Sequence, residues 1–395
     1  MLNLIWSSDW HFGLSTSEID RTEEITKLGL DIAKYSVKLH KKGEEVVVVL
    51  GGDLFEKNNP GEELISAFIR VLNLWNRYKI PVYVMVGNHD AISDPNRKSC
   101  LTFVCRLQKG GYNINLIDNI KSIKYKLTDL GPLYFSFFPH ITKAHLKGRL
   151  SKTTQQYIDT KAAKIIKRMP QGSQHYVFSH LNVREAMPGY EENLLKKSEV
   201  YFPECLIMDK ESDGVLVPTV LQGHIHSSQV IDNINIIGSP LFCGFGEKEG
   251  EKYFAHVKIP TSLGEKESID LIPTKCKKFL EIKLDFIDDP DLNPKKMLKK
   301  VDKDTIVKFD VIADDRTTVD YVKLREAFAK KADYVKPIVP KIIISKPKRN
   351  VKQRLNLAPK EAVKVFLRKN KPAKINRKFK LAKKIIEEVE ISENL

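Results

Sequence analysis

Cysteine is scarce in this chain. The five cysteines among 395 residues (Cys100, Cys105, Cys205, Cys243, Cys276) are odd in number and scattered, with no Cys-x-x-Cys pair. That argues against a disulfide framework or a zinc ribbon and for a reducing compartment. No apolar run approaches the roughly 18–20 residues of a membrane span, so no membrane role is expected. Internal repeats and low-complexity tracts are missing too. Met1 leads straight into Leu2-Asn3-Leu4-Ile5-Trp6, so a cytoplasmic protein without a secretory leader is expected. Near the end the chain is short of acid. Residues 336–395 hold 18 Lys and Arg against 5 Asp and Glu, a net of +13, while the rest is nearly balanced at 48 against 45. Such a segment suits a polyanion or an acidic protein, or is simply solvated charge.

What is present reads as an α/β protein with a real core, 42% hydrophobic and 29% charged. A first strand precedes a helix over about residues 16–41, with Ser15 and Glu18 as a capping box. Glu45-Val46-Val47-Val48-Val49-Leu50 is a strand buried on both faces. Asn59-Pro60 starts a helix whose apolar face is Leu64, Ile65, Phe68, Ile69, Leu72 and Trp75. Val82-Tyr83-Val84-Met85-Val86 is the next strand. This alternation predicts a largely parallel sheet. Residues 112–117, 123–127 and 133–138 read as strands of a second sheet. A helix over 152–168 follows, then strands at 175–178, 219–222, 229–231, 234–237, 253–259 and 268–272. The first domain is expected over 1–265. Beyond the interruption at Pro260 and Pro273, residues 276–345 read β-α-β-α-β, a small second domain, with residues 334–344 as its last strand. Residues 346–358 read as a linker. Residues 359–395 carry two short amphipathic stripes, Ala362-Val363-Phe366-Leu367 and Phe379-Ala382-Ile385-Ile386-Val389, around Lys371-Pro372. Neither stripe can fold alone, so docking on a partner or on the parent domain is expected.

The chemistry gathers where strands end. Gly87-Asn88-His89-Asp90 follows an apolar strand and offers an amide, an imidazole and a carboxylate where a turn needs only Gly and Asn. Four other strand ends resemble it: Asp9-Trp10-His11, Gly51-Gly52-Asp53, Ser179-His180 and Gly223-His224-Ile225-His226. Each alone is an ordinary loop. Together, at the carboxyl edge of a parallel sheet, they predict one site. Carboxylate, imidazole and amide oxygen suit a divalent ion such as manganese, iron or zinc, and a pair of ions needs a bridge. Asp53, a lone carboxylate after Gly-Gly, is the natural bridge. Asp9 with His11, and His224 with His226, are spaced i, i+2, which on extended backbone aims both members the same way. His40, His140, His145, His175 and His256 lack such company and read as structural.

In that order these motifs resemble the calcineurin-like metallophosphoesterase superfamily, an α/β/β/α sandwich. Ser8-Asp9-Trp10-His11-Phe12-Gly13, Gly52-Asp53-Leu54-Phe55 and Gly223-His224-Ile225-His226 resemble the SbcD nuclease family within it. So does Gly238-Ser239-Pro240 leading to Phe245-Gly246-Glu247. Pro218-Thr219-Val220-Leu221-Gln222 departs from that family's usual Asp-Tyr-Val-x-Leu. The resemblance implies two ions, manganese by preference, with magnesium, iron or zinc as substitutes. Asp9, His11 and His226 would hold one ion, Asn88, His180 and His224 the other, and Asp53 would bridge. His89 would act on the scissile phosphate without being a ligand, and Asp90 would orient His89 or serve the fold. It further implies a 3'-to-5' exonuclease and endonuclease on DNA with a small α+β capping domain. The C-terminal helical segment would bind an SbcC-like coiled-coil ATPase, in a heterotetramer containing a nuclease homodimer. A bacterial cell, or one infected by a phage, is the setting this suggests.

Overall fold

The computed structural model describes residues 1–16, 18–94, 97–142, 153–187, 200–207, 217–247, 250–289, 293–314 and 319–343, with residue 384. The linker expected at 346–358 and the helical segment at 359–395 lie outside them, Lys384 apart.

The N-terminal elements are β1 (Leu2–Ser7), α1 (Thr22–Lys41), β2 (Glu45–Leu50), α2 (Glu62–Arg77), β3 (Val82–Met85), α3 (Phe103–Lys109) and β4 (Ile114–Ile117). Next come β5 (Lys121–Thr128), β6 (Gly131–Phe138), α4 (Thr154–Arg168), β7 (Gln174–Ser179), β8 (Thr219–Gln222), β9 (Gln229–Ile231) and β10 (Ile234–Ile236). Strands β11 (Tyr253–Ile259) and β12 (Ser268–Pro273) return to the first sheet. That sheet has six strands in the order β12-β11-β1-β2-β3-β4, and the second has six in the order β9-β10-β8-β7-β6-β5. Strands β1 to β4 run parallel to their neighbours, while β11 pairs antiparallel with β1. In the second sheet β6, β7, β8 and β10 are parallel.

Alternation explains the layers. Along β1 and β2, Leu4, Trp6, Val47 and Val49 meet Phe135, Phe137, Phe178 and Leu221 of the second sheet in one buried cluster. The opposite residues Ile5, Val46, Val48 and Leu50 pack with Ile25, Leu28 and Ile32 of α1 and Phe68, Val71 and Trp75 of α2. The outer face of the second sheet, through Val177 and Val220, packs with Tyr157, Ile158 and Ala162 of α4. Helix, sheet, sheet, helix is the α/β/β/α sandwich. Both inner layers are buried on two faces, hence their unbroken apolar runs.

Further on lie β13 (Lys278–Asp285), a 3₁₀ turn at Pro294–Lys300, β14 (Thr305–Asp314), α5 (Tyr321–Ala329), β15 (Tyr334–Val335) and β16 (Lys341–Ile343). They form a four-stranded sheet, β13-β14-β15 with β16 also on β14. The described residues fall into two compact units. One comprises Met1–Leu284, Asn293–Asp310 and Asp320–Val339, and the other the remaining described segments.

Some local readings change. Ser15 and Glu18 form no capping box. Ser15–Thr16 pairs with Ile19–Asp20 in a small hairpin, and α1 begins at Thr22, whose N–H is accepted by Asp20 Oδ1 at 2.8 Å. The competing pull is tertiary, since Thr16 donates to the carbonyl of Cys243 at 3.0 Å. Helix α2 starts past Asn59-Pro60, with Gly61 at its N-cap. The strand read at 112–117 is β4 and joins the first sheet beside β3. The single strand expected at 334–344 is two short strands, β15 and β16.

Candidate metal centre

The strand-end residues meet at one edge of the sandwich. Asp9 and His11 follow β1, Asp53 follows β2, Asn88 and His89 follow β3, His180 follows β7, and His224 and His226 follow β8. Strand pairing carries on into these loops. Gly51 N–H donates to Ser7 O, Asp9 N–H to Gly52 O, His11 N–H to Asp53 O, and Gly223 N–H to Ser179 O, at 2.8–3.1 Å. Except for half-buried Asn88 and His89, all of these side chains are buried.

Two groupings share Asp53. In the first, ligand atoms of Asp9, His11 and Asp53 lie within 4.8 Å of one another. His226 joins them, its Nε2 lying 3.2 Å from His11 Nε2 and 3.8 Å from Asp9 Oδ1. In the second, Asp53, His180 and His224 are equally close. His180 Nε2 lies 3.3 Å from Asp53 Oδ2 and 3.0 Å from Asn88 Oδ1. The donors are imidazole nitrogens and carboxylate or amide oxygens, gathered within a few ångströms of one another. This set fits a pair of divalent ions. The Cys243 thiol stands near His11 and His226 as well.

The alternation argument fails in its mechanism. Asp9 and His11 have φ of 59° and 54°, Asp53 of 49° and His224 of 72°, all left-handed rather than extended. Turned backbone, not strand pleat, aims these side chains inward. Each such residue costs on the order of 1–3 kcal/mol and is held by surrounding bonds. Both oxygens of Asp9 accept the His224 N–H at 3.1 Å, and Ser8 Oγ donates to Asp9. A side chain at Gly52, where φ is 106°, would put its Cβ 2.5 Å from His180 Nδ1.

Each imidazole has a partner behind it. His11 Nδ1 meets the Glu56 carboxylate at 2.9 Å. His180 Nδ1 meets Gly51 O at 2.7 Å, and His224 Nε2 meets Asn182 Oδ1 at 2.9 Å. Glu247 stands 3.6 Å from His226 Nδ1. His89 Nδ1 meets Glu56 O at 2.8 Å, and its N–H donates to Asp53 Oδ1 at 2.8 Å. Its ring centre is 4.9 Å from that of His11. Asp90 does not reach the His89 ring. Its carboxylate accepts the N–H groups of Leu54, Phe55 and Gly87 at 3.0–3.2 Å, stitching the loop after β2 to the loop after β3. Glu56, Asn182 and Lys252 carry no signal of their own in the sequence.

The electrostatics follow from crowding. Burial pushes the Asp53 carboxyl up, but the His180, His89 and His11 imidazoles outweigh it and hold it well below the usual range. Burial lowers His180, yet Asp53 and Asp9 carry it up to about 9. His224 goes the other way, depressed by burial and by the neighbouring His180. His89 is pulled down by burial and raised on balance by Asp53, the Glu56 carbonyl and Glu56. Burial and the Asp53 charge lift Asp90 to about 6 against its three N–H donors.

The calcineurin-like phosphoesterase family profile matches residues 2–228, more than half of the chain, so the protein belongs to that family. It is a metallophosphoesterase by sequence and by fold. Among individual proteins, it is similar to the DNA double-strand break repair protein Mre11 of Nanoarchaeum equitans (strain Kin4-M), 37% identical over 83 residues. That stretch is 21% of this chain and 22% of the relative's length. A solved structure described as "Termus thermophilus Sulfate thiohydrolase SoxB in complex with glycerol" aligns with a TM-score of 0.34 at 12% identity, over 69% of this chain and 56% of the other. Among the described residues no helix is long and apolar enough to cross a membrane.

Proposed function

We propose that the protein is a two-metal DNA phosphodiesterase of the SbcD kind, acting as a 3'-to-5' exonuclease and as an endonuclease. The observation that carries the reading is the pair of ligand groupings sharing Asp53, with His89 beside them. The similarity to a DNA double-strand break repair protein and the basic segment 336–395 favour DNA over a small phosphodiester.

In this reading Asp9, His11 and His226 would hold one ion and Asn88, His180 and His224 the other, with Asp53 as the carboxylate common to both groupings. When bound, divalent ions, manganese by preference, would supply Lewis-acid chemistry for phosphodiester hydrolysis. The chain does the rest. Asp53 orients His89 by accepting from its backbone N–H, and the His89 Nδ1–H donates to Glu56 O. His89 Nε2 is then the nitrogen left to meet a phosphate oxygen or to hand a proton to the leaving oxygen. Asp53, the Glu56 carbonyl and the Glu56 carboxylate raise the basicity of His89 against its burial. We also propose residues 276–345 as a capping module over DNA, 346–358 as a linker and 359–395 as the docking segment for an SbcC-like coiled-coil ATPase. The assembly would be a heterotetramer containing a nuclease homodimer, in the cytoplasm.

The test is manganese-dependent degradation of end-labelled duplex DNA, with and without the ATPase. His89→Gln is expected to lose about 10²–10⁴-fold in rate while keeping its metal. Hydrolysis of a small phosphodiester with DNA left intact in every condition would replace the nuclease by a general phosphoesterase. Deleting residues 346–395 is expected to abolish ATPase binding.

A further inference from the structure

A buried pair of charges, Glu247 and Lys252, flanks His226 on two sides. Glu247 Oε1 lies 3.6 Å from His226 Nδ1. Its other oxygen forms an ion pair with Lys252, and the two side chains are only 2% and 8% exposed. Lys252 Nζ in turn donates to the backbone carbonyl of His226 at 3.0 Å and to Ser239 Oγ at 3.0 Å. Thus the carboxylate faces the ring of His226 and the ammonium holds its backbone.

The pair is itself anchored. The Cys243 N–H donates to Glu247 Oε1 at 2.6 Å. The segment carrying Cys243 is tied back by Arg21, which donates to Phe242 O at 2.7 Å, and by Thr16, which donates to Cys243 O at 3.0 Å. Lys252 also lies over the Phe242 ring at 5.0 Å. Burying two full charges is costly, and an apolar pair of similar volume would serve stability as well or better. A purpose beyond stability is therefore to be sought in what the pair touches, and both members touch His226. A negative charge 3.6 Å from Nδ1, too far for a direct hydrogen bond, electrostatically favours the tautomer with the proton there, which leaves the Nε2 lone pair toward Asp9 and His11.

We propose that Glu247 and Lys252 are positioning residues: together they set the tautomer and orientation of His226, and so the affinity of the Asp9-His11-His226 half of the site for its divalent cation. The proposal rests on the two-ion reading above.

The experiment is calorimetric titration of metal-free, full-length protein with Mn²⁺. It compares the wild type, Glu247→Gln, and the double variant Glu247→Gln/Lys252→Met, which removes both charges so that no ammonium is stranded. The expected result is two ions in the wild type. In each variant one ion binds as before and the other about 10–100-fold more weakly. Wild-type affinity for both ions in the double variant would overturn the proposal. If the single variant does not fold, the double variant decides. If neither folds, the pair is a folding element and the proposal falls. A wild type binding one ion would overturn the two-ion reading instead, and the proposal would then stand or fall on whether that ion is weakened.

Discussion

The half of the site built on Asp9, His11 and His226 and the half built on Asn88, His180 and His224 back their histidines with different chemistry. Behind His11 and His226 stand carboxylates, Glu56 at 2.9 Å and Glu247 at 3.6 Å. Behind His180 and His224 stand neutral carbonyl oxygens, Gly51 O at 2.7 Å and Asn182 Oδ1 at 2.9 Å. A carboxylate brings a negative charge toward the imidazole it faces and a carbonyl does not, so it favours a cation held on the far side of the ring more. The first half should therefore load earlier and release later. The second half, for which the Asn88 amide is proposed as a ligand and whose histidines are backed by neutral oxygens, should be the exchangeable one.

The widest effect is expected where the halves join. Asp53→Ala should abolish both ions and lower phosphodiester hydrolysis by about 10³-fold or more, read from bound manganese and from rate. Retention of one tight ion would separate the halves and remove Asp53 as the bridge.

Asp90→Ala should act on the loops carrying Asp53 and Asn88 while sparing Asp9, His11 and His226. It strands three N–H donors that its carboxylate accepts, a loss of about 3 kcal/mol, read as a lower urea midpoint.

The comparison itself is tested by Glu56→Gln against Asn182→Ala. The first should weaken the tighter ion about 10–100-fold, and the second should weaken the looser ion by about 10-fold. Titration showing the opposite assignment would reverse the order of the halves.

A smaller effect separates burial from pairing. His175, with Nε2 on Ser136 Oγ at 2.7 Å, is depressed to about 4 by burial, whereas buried His180 beside Asp53 is raised to about 9. For His175 the folded value lies below the unfolded value of about 6.5. Its protonation therefore favours unfolding, and stability is lost as pH falls from about 6.5 toward 4. At pH 5.5 the loss should be about 1–2 kcal/mol, and His175→Gln should remove that part of the pH dependence of the urea midpoint.

The layers of the sandwich were legible because burial on two faces writes an unbroken apolar run, as in Val46-Val47-Val48-Val49. Where neighbours decide, reading failed. Ser15 and Glu18 spell a helix cap, yet Thr16 is recruited by Cys243 O, 227 residues away in sequence, and a hairpin forms instead. That Asp9, His11, Asp53 and Asn88 share one edge was legible because they follow parallel strands of one sheet; His180, His224 and His226 follow strands of the second sheet and join them only through the packing of the two sheets. The way they are aimed was not. Pleat alternation was the wrong cause, because the left-handed backbone of Asp9 and His11 is held by bonds to Gly52 O and Asp53 O on another loop.

By itself the sequence determined the strand rhythm, the two-faced burial and the residue types at each strand end, since these depend on local periodicity and side-chain chemistry. Tertiary structure alone decided which partner stands behind each imidazole. Glu56 reaches His11 across 45 residues of sequence, Asn182 reaches His224 across 42, and Glu247 faces the His226 ring across 21. No local pattern encodes such pairings. They exist only once two sheets have packed and their loops have been brought within hydrogen-bonding distance.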